Sequence, residues 1–365
     1  MLPAGVEGVS YFLNRAGLRM PVRMPPETAD DSLPHEFALA SSQEGRMVHE
    51  AIAPRFDPAS AGYPRSDEVF RGHPRVLTAG PNFHGTSEVF RPDGVPIYSV
   101  QVSTDALGRR VTVDPDPGRA RAVHLTTLGC SFTWGQGVND GETLASQLAG
   151  QLQDRRVYNL GISGAGPNDL LAREEQLGLF GELAEQRGDA VYLFIGDHVR
   201  RANGAMSVVG QWAAGSAYME EVSPGRFQFA GPWREAFPFR TRFFHRLANR
   251  QATRFFRFDW PPVDRAAVER TARMLSDLRR VYRVRTDTRN GFTVVIFETS
   301  GVDRAMLRAA LDQSRIPYLD YSSIDWSRVT GEAATYALDG HPRAPTYAAL
   351  AQALVEDLRL PRREP

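Results

Sequence analysis

Hydrophobic and polar positions keep no steady period over the first 118 residues and then settle into an alternation of two patterns. From about Arg119 onward, short apolar runs at 122–128, 157–160, 190–195, 293–297 and 317–321 are separated by longer stretches, several with apolar residues every three or four positions. The short runs read as strands buried on both faces, and the three-to-four spacing reads as helices with one inward face. Five strands alternating with helices predict a mostly parallel sheet inside a three-layer α/β/α sandwich. Between the first two runs, Asp140 is placed to cap a helix with Leu144, Leu148 and Leu152 on one face. After the second, Pro167 at a first-turn position leads a helix through Leu170, Leu177 and Phe180. Tyr347, Leu350, Leu354 and Leu358 predict a last amphipathic helix.

Residues 1–118 are rich in Pro, Gly and Asp, and Pro25-Pro26, Asp30-Asp31 and Ala53-Pro54 read as loops. Runs at 97–102 and 109–113, separated by a six-residue loop, predict a β-hairpin. This region is expected to be an N-terminal extension packed on a second unit, 119–365. Within that unit, residues 200–262 form a connection too long for a compact domain, which predicts a lid-like insertion. It carries many rings, Trp212, Trp233, Phe239, Phe243, Phe258 and Trp260 among them, interleaved with Arg240, Arg242, Arg246, Arg250, Arg254 and Arg257. Aromatic rings bury large areas in any setting, so most are expected to pack the insertion against the core. The arginines are expected on a solvated face, with a membrane-surface helix or an acidic ligand as the other readings.

The chain has 365 residues, no net charge and 42% hydrophobic residues, enough for a full core. It contains no lysine, which excludes a P-loop and Schiff-base chemistry. Balanced charge argues against a nucleic-acid partner. One cysteine, Cys130, rules out an internal disulfide and is expected to be a small buried hydrophobe. The eight histidines form no ligand motif, so no metal is expected, and the glycines at 161, 164 and 166 miss the dinucleotide fingerprint. No cofactor is therefore predicted. No apolar run reaches 18 residues, so no membrane span is expected. Residues 1–25 lack a signal-peptide core, which as it stands reads as a cytoplasmic chain, or a periplasmic or secreted one if a leader once preceded it.

Two short segments carry the chemistry. Ser131 lies in Leu128-Gly129-Cys130-Ser131-Phe132-Thr133, a small-residue turn directly after the first strand, where ligands of open α/β folds bind. Near the other end, Asp339 stands two residues before His341, so that one loop delivers a base and the group that orients it. The pair predicts a Ser-His-Asp nucleophile system. Thr133 stands where the α/β-hydrolase elbow has its second Gly.

The ensemble resembles the SGNH (GDSL-type) hydrolase family. Gly129-Cys130-Ser131 matches its first block with Cys in place of Asp, Asn159-Leu160-Gly161-Ile162-Ser163-Gly164 its second, and Asp339 with His341 its last. The resemblance covers about two thirds of the chain and implies a flavodoxin-like sandwich and a serine esterase. By the same resemblance, Ser131, Asp339 and His341 are catalytic, and the amides of Ser131 and Gly164 help build the oxyanion hole. The third block departs: Gly196-Asp197-His198 puts Asp197 where the family has an amide-donating Asn. An ionised carboxylate cannot donate. His198 or backbone amides are the expected replacements, ahead of a protonated Asp197. Trp134, Arg200 and Arg201 are the expected substrate contacts. The implied reaction is hydrolysis of small acyl esters, O-acetyl groups of a carbohydrate in particular. The alternatives are O-acyl transfer to a hydroxyl and a binding protein that has lost activity.

Overall fold

The structure, a computed structural model, describes residues 46–50, 76–90, 95–248, 250, 258–286, 291–337 and 339–361. The proline-rich loops expected before residue 46, and Ala53-Pro54, lie outside the described residues. In chain order the strands are β1 (Arg46–Glu50), β2 (His84–Phe90), β3 (Pro96–Ser103), β4 (Val123–Leu128), β5 (Arg155–Asn159), β6 (Arg187–Phe194), β7 (Ala217–Ser223), β8 (Arg226–Pro232), β9 (Phe292–Ile296) and β10 (Tyr318–Asp320). The helices are α1 (Ser131–Trp134), α2 (Leu144–Gln151), α3 (Pro167–Leu177), α4 (Asp197–Asn203), α5 (Met206–Val209), α6 (Trp233–Ala236), α7 (Pro238–Ala248), α8 (Arg265–Arg285), α9 (Arg304–Gln313), α10 (Trp326–Thr330) and α11 (Ala344–Asp357).

Five strands form one sheet in the order β10-β9-β6-β4-β5, and every neighbouring pair is parallel. All five runs expected from the sequence are present, each within three residues of its expected ends. Their alternation is visible in the two cores. Ala190, Tyr192 and Phe194 of β6 face one layer with Leu170, Val268, Leu275, Leu307 and Leu311. Val191, Leu193 and the following Ile195 face the other, with Leu144, Leu148, Leu350 and Leu354. Strands covered on both faces have little polar side to show, so β6 and β9 read as near-continuous apolar runs, while β4 buries His124, Thr126 and Thr127 among its apolar residues. The chain runs from β4 outward to β5 and then returns to β6 on the other flank. That reversal opens a crevice at the carboxyl end of β4.

Helix starts follow local chemistry. Asp264 and Asp303 accept from the amides of Ala267 and Met306 at 2.9 and 2.7 Å, capping α8 and α9. Pro167 opens α3 as expected, and Gly178 in the left-handed region closes it. Asp140 does not cap a helix: the cap of α2 is Thr143, whose hydroxyl accepts from Ser146 N at 3.2 Å. Asp140 is instead drawn to Arg110, 2.7 Å away.

The expected hairpin is also corrected. β3 covers the first of its runs, but its antiparallel partner is β2. Residues 109–113 form no strand beside it: they meet its end through a bridge between Thr104 and Arg110 and a bond from Val111 N to the Ser103 carbonyl at 2.9 Å. Asp105 closes a tight turn by accepting from the amides of Leu107 and Arg109 at 2.9 and 3.0 Å. The Arg110 guanidinium then turns inward to the carbonyls of Gly135 and Val138, at 3.2 and 2.8 Å. A buried cation with that many acceptors outweighs ladder pairing. Among the described residues, the insertion holds α5, the β7–β8 hairpin, α6 and α7.

Candidate active site

The turn after β4 is shaped by two small residues. Gly129 sits at φ +144°, and a side chain there would press into Thr133 Oγ1 and within 2.9 Å of the Leu193 carbonyl. Only glycine fits. Cys130 is fully buried, and its carbonyl accepts from Thr133 N and Trp134 N at 3.0 and 2.8 Å, which starts the single turn of α1. Ser131 is the first residue of that turn, so its amide has no intrahelical acceptor.

The loop before α11 brings the other two groups. Tyr336 N donates to the His341 carbonyl at 3.0 Å, Gly340 N donates to the Tyr336 carbonyl at 2.8 Å, and Thr335 bridges Pro342. His341 Nε2 lies 2.8 Å from Ser131 Oγ, and His341 Nδ1 lies 2.5 Å from Asp339 Oδ2. All three side chains belong to residues that are more than nine-tenths buried. A carboxylate at Nδ1 fixes the proton on that nitrogen and leaves the Nε2 lone pair for the serine hydroxyl. The Phe132 ring, 5.2 Å from the imidazole, backs His341 and packs edge-on against Phe297 at 5.8 Å.

The third wall comes from β5. Asn159 Nδ2 donates to the carbonyls of Thr133 and Trp134 at 3.0 and 3.3 Å, while its Oδ1 accepts from Gly161 N at 3.1 Å. One amide side chain thus fastens the Ser131 turn to the loop that ends in Gly164. Gly164, at φ +80°, faces Trp212, with 3.0 Å between the indole and the point a Cβ would occupy. Asp169, fully buried, accepts from Gly166 N and Ala217 N at 2.8 Å each and anchors the far end of this loop. Burial raises its carboxyl above the usual range.

The departing third block behaves differently from expectation. Asp197 opens α4, and its carboxylate is engaged by Arg201 Nε at 2.8 Å. Its Oδ2 is thus taken up by an ion pair rather than turned free toward the crevice. His198 is fully buried between the rings of Tyr192 and Phe194, with Nδ1 3.0 Å from the Tyr192 hydroxyl. Burial first, and then the Arg201 charge, lower its pKa well below the ordinary value. It is a neutral core histidine with no face on the crevice, which corrects the expectation of a donor. Trp134 is likewise core, packed with Tyr98, Val100 and Ile162 and covered by Arg110 at 5.6 Å. Arg200 is nearly buried against Gly301 and pairs with Asp259 at 3.5 Å.

Arg201 is where the loops meet. Besides Asp197, it donates to the Ala165 carbonyl at 2.9 Å and lies 5.2 Å over the Trp212 ring. One guanidinium therefore ties the turns after β5 and β6 to the insertion. Tyr98 goes unnoticed as a site residue in the sequence, and Trp212 is one of the insertion's rings that read there mainly as packing, with an aromatic wall over the active site as the other reading. The Tyr98 ring of β3 packs at a tilt, 5.1 Å away, on Tyr336 of the His341 loop, and the Tyr336 hydroxyl donates to the Gly137 carbonyl at 2.8 Å. No periodicity or motif marks such contacts, because they join segments far apart in the chain.

Among the described residues no group of three or more His, Cys, Asp or Glu is arranged to hold a metal ion, and no helix is long and apolar enough to cross a membrane. No family model and no curated protein matches this chain. Solved structures similar to it include a member of the lipolytic G-D-S-L family from Veillonella parvula, at 11% identity and a TM-score of 0.35, covering 64% of this chain and 97% of that one. A lipase/acylhydrolase from Enterococcus faecalis is similar at 12% identity and a TM-score of 0.35, covering 66% and 100%. An acetylxylan esterase from Geobacillus stearothermophilus, solved as a catalytic mutant, is similar at 14% identity and a TM-score of 0.35, covering 68% and 99%. At these identities the likeness is one of fold.

Proposed function

We propose that this chain is a serine-dependent ester hydrolase acting on small acyl esters, with O-acetyl groups on a carbohydrate as the preferred substrate class. The observation that carries this reading is the unbroken hydrogen-bond chain from Ser131 Oγ through His341 to Asp339. In the first step Ser131 Oγ attacks the acyl carbon, and its proton passes to His341 Nε2 as the C–O bond forms. Asp339 stabilises the imidazolium without taking the proton. The negative charge that develops on the carbonyl oxygen is met by the amides of Ser131 and Gly164. Collapse expels the alcohol, which receives the proton from His341, and leaves Ser131 acylated. Water, deprotonated by His341, then releases the acid and restores the serine.

With Asp197 committed to Arg201 and His198 in the core, the hole in this reading is built from backbone amides. Loss of one donor costs about 2.7–4 kcal/mol of transition-state stabilisation in comparable sites. A slower enzyme than one with a third donor is the consequence. The half-buried Trp212 beside Gly164 favours a small acyl group and offers a ring for a sugar to stack on.

The test is labelling with a fluorophosphonate probe followed by peptide mapping, alongside hydrolysis of p-nitrophenyl acetate. The native chain should be labelled on Ser131, and Ser131→Ala should lose both labelling and nearly all turnover, keeping only what the hole and binding supply. Labelling at another residue, or full turnover by Ser131→Ala, would overturn the assignment.

A further inference from the structure

The outward face of α7 is unusual for a surface helix. Phe239 and Phe243, one turn apart, are 84% and 57% exposed, and Phe258 and Trp260 beside the same insertion are 57% and 48% exposed. Its inward face is already satisfied by Thr241, Phe244 and Ala248, which are buried. Arg242 and Arg246 share the outward face with the two phenylalanines, and Arg250 follows, all exposed. Arg240 differs: it is drawn inward over the rings of Trp233 and Phe237, at 4.6 and 4.4 Å. Residues 237–258 contain six arginines and no acidic residue, in a chain whose net charge is zero. Exposed rings of this size on a monomer surface call for a partner.

We propose that the α7 face docks this protein on an anionic lipid surface. The chemistry fits that partner in two ways. Phenylalanine and tryptophan side chains enter the headgroup–acyl boundary, and arginine guanidinium groups remain at the phosphate level on their long stems. Charge complementarity selects anionic over neutral lipid, since each basic residue near such a surface contributes about 1 kcal/mol. A helix crest is convex, whereas single-stranded nucleic acid is held in a basic groove. The docked face is also joined to the candidate active site. His245 Nδ1 lies 3.1 Å from the Gly210 carbonyl, at the turn that leads two residues later to Trp212, and Met206 N donates to the Trp260 carbonyl at 2.9 Å. Docking would therefore hold the crevice close to the lipid surface.

The experiment is flotation of the full chain with vesicles of phosphatidylcholine alone and of phosphatidylcholine with 30% phosphatidylglycerol, in about 0.1 M salt. Binding to the anionic vesicles should exceed binding to the neutral ones by at least roughly tenfold. Arg242→Glu with Arg246→Glu should lower partitioning by a further tenfold or more, and Phe239→Ser with Phe243→Ser should abolish it, while p-nitrophenyl acetate hydrolysis and the melting temperature of both variants stay near native. The assay reads binding and is independent of whether Ser131 is a nucleophile. Equal binding of native chain and both variants, or no vesicle binding at all, overturns the proposal. So does a dimer that dissociates in the phenylalanine variant, or capture of a single-stranded oligonucleotide without vesicle binding.

Discussion

Replacing Arg201 should separate two jobs that one guanidinium performs. Arg201→Leu removes the donor to the Ala165 carbonyl, the contact with Trp212 and the partner of Asp197. An orphaned buried carbonyl costs about 1–3 kcal/mol. A largely desolvated cation–π contact adds about 0.5–2 kcal/mol. Asp197 keeps some solvent access, its side chain being 22% exposed, so its lost ion pair adds little. The expected loss is therefore roughly 2–5 kcal/mol, or on the order of 5–15 °C in melting temperature for a unit of this size. Arg201→Lys is the sharper test. A single ammonium reaches Asp197 or Ala165 but does not span both as the planar fork does. Its melting temperature should fall by only a few degrees, while kcat for p-nitrophenyl acetate falls by roughly 10²-fold as the Gly164 amide drifts from the oxyanion. KM should move little. The assay pairs thermal melts with initial rates on the same preparations. A lysine variant with native kcat would refute the idea that the fork positions the hole, and a leucine variant with native kcat but a low melting temperature would reduce Arg201 to a structural role.

Trp212→Ala opens the space against Gly164, so the ratio of kcat/KM for butyrate over acetate esters should rise tenfold or more, since a methylene is worth about 1–3 kcal/mol in a fitted pocket; an unchanged ratio would remove Trp212 from the pocket. His198 supplies a pH signature of stability. Its folded pKa is depressed by burial below the unfolded value of about 6.5, so the unfolded chain takes the proton first and stability is lost as pH falls below that value. Urea unfolding between pH 7.5 and 5.5 should show this slope, at most about 1.4 kcal/mol per pH unit from this residue, and His198→Leu should flatten it. A slope identical in both proteins would mean that His198 is protonated in the folded state.

The sheet was legible because its signal is local. The central strands β6 and β9 carry near-continuous apolar stretches, as burial on both faces favours, while β4 keeps its apolar residues around His124, Thr126 and Thr127. The Ser131 turn and the Asp339–His341 loop were legible for a related reason: small residues after a strand and an acid two positions before a base are short-range patterns. What stayed hidden depended on partners far along the chain. Arg110 looked like a strand residue and became the anchor for Gly135 and Val138. Trp134 looked like a contact for substrate and became the floor of the small third core. His198 followed the third strand of the sheet in the expected place, yet its ring turned under Phe194 rather than toward the crevice. Neither charge nor spacing distinguishes an arginine that clasps three loops from one that meets solvent.

The hydrogen bond between Ser131 and His341 joins residues 210 positions apart. On a ribosome adding roughly 5–20 residues per second, the serine emerges about ten to forty seconds before its base exists. If Ser131 is the nucleophile proposed above, through that interval it is an ordinary alcohol in an unfinished sandwich. In the proposed mechanism, turnover then begins only once the His341 loop has been made and folded. A premature stop between the two loops would leave Ser131 without the base proposed for it.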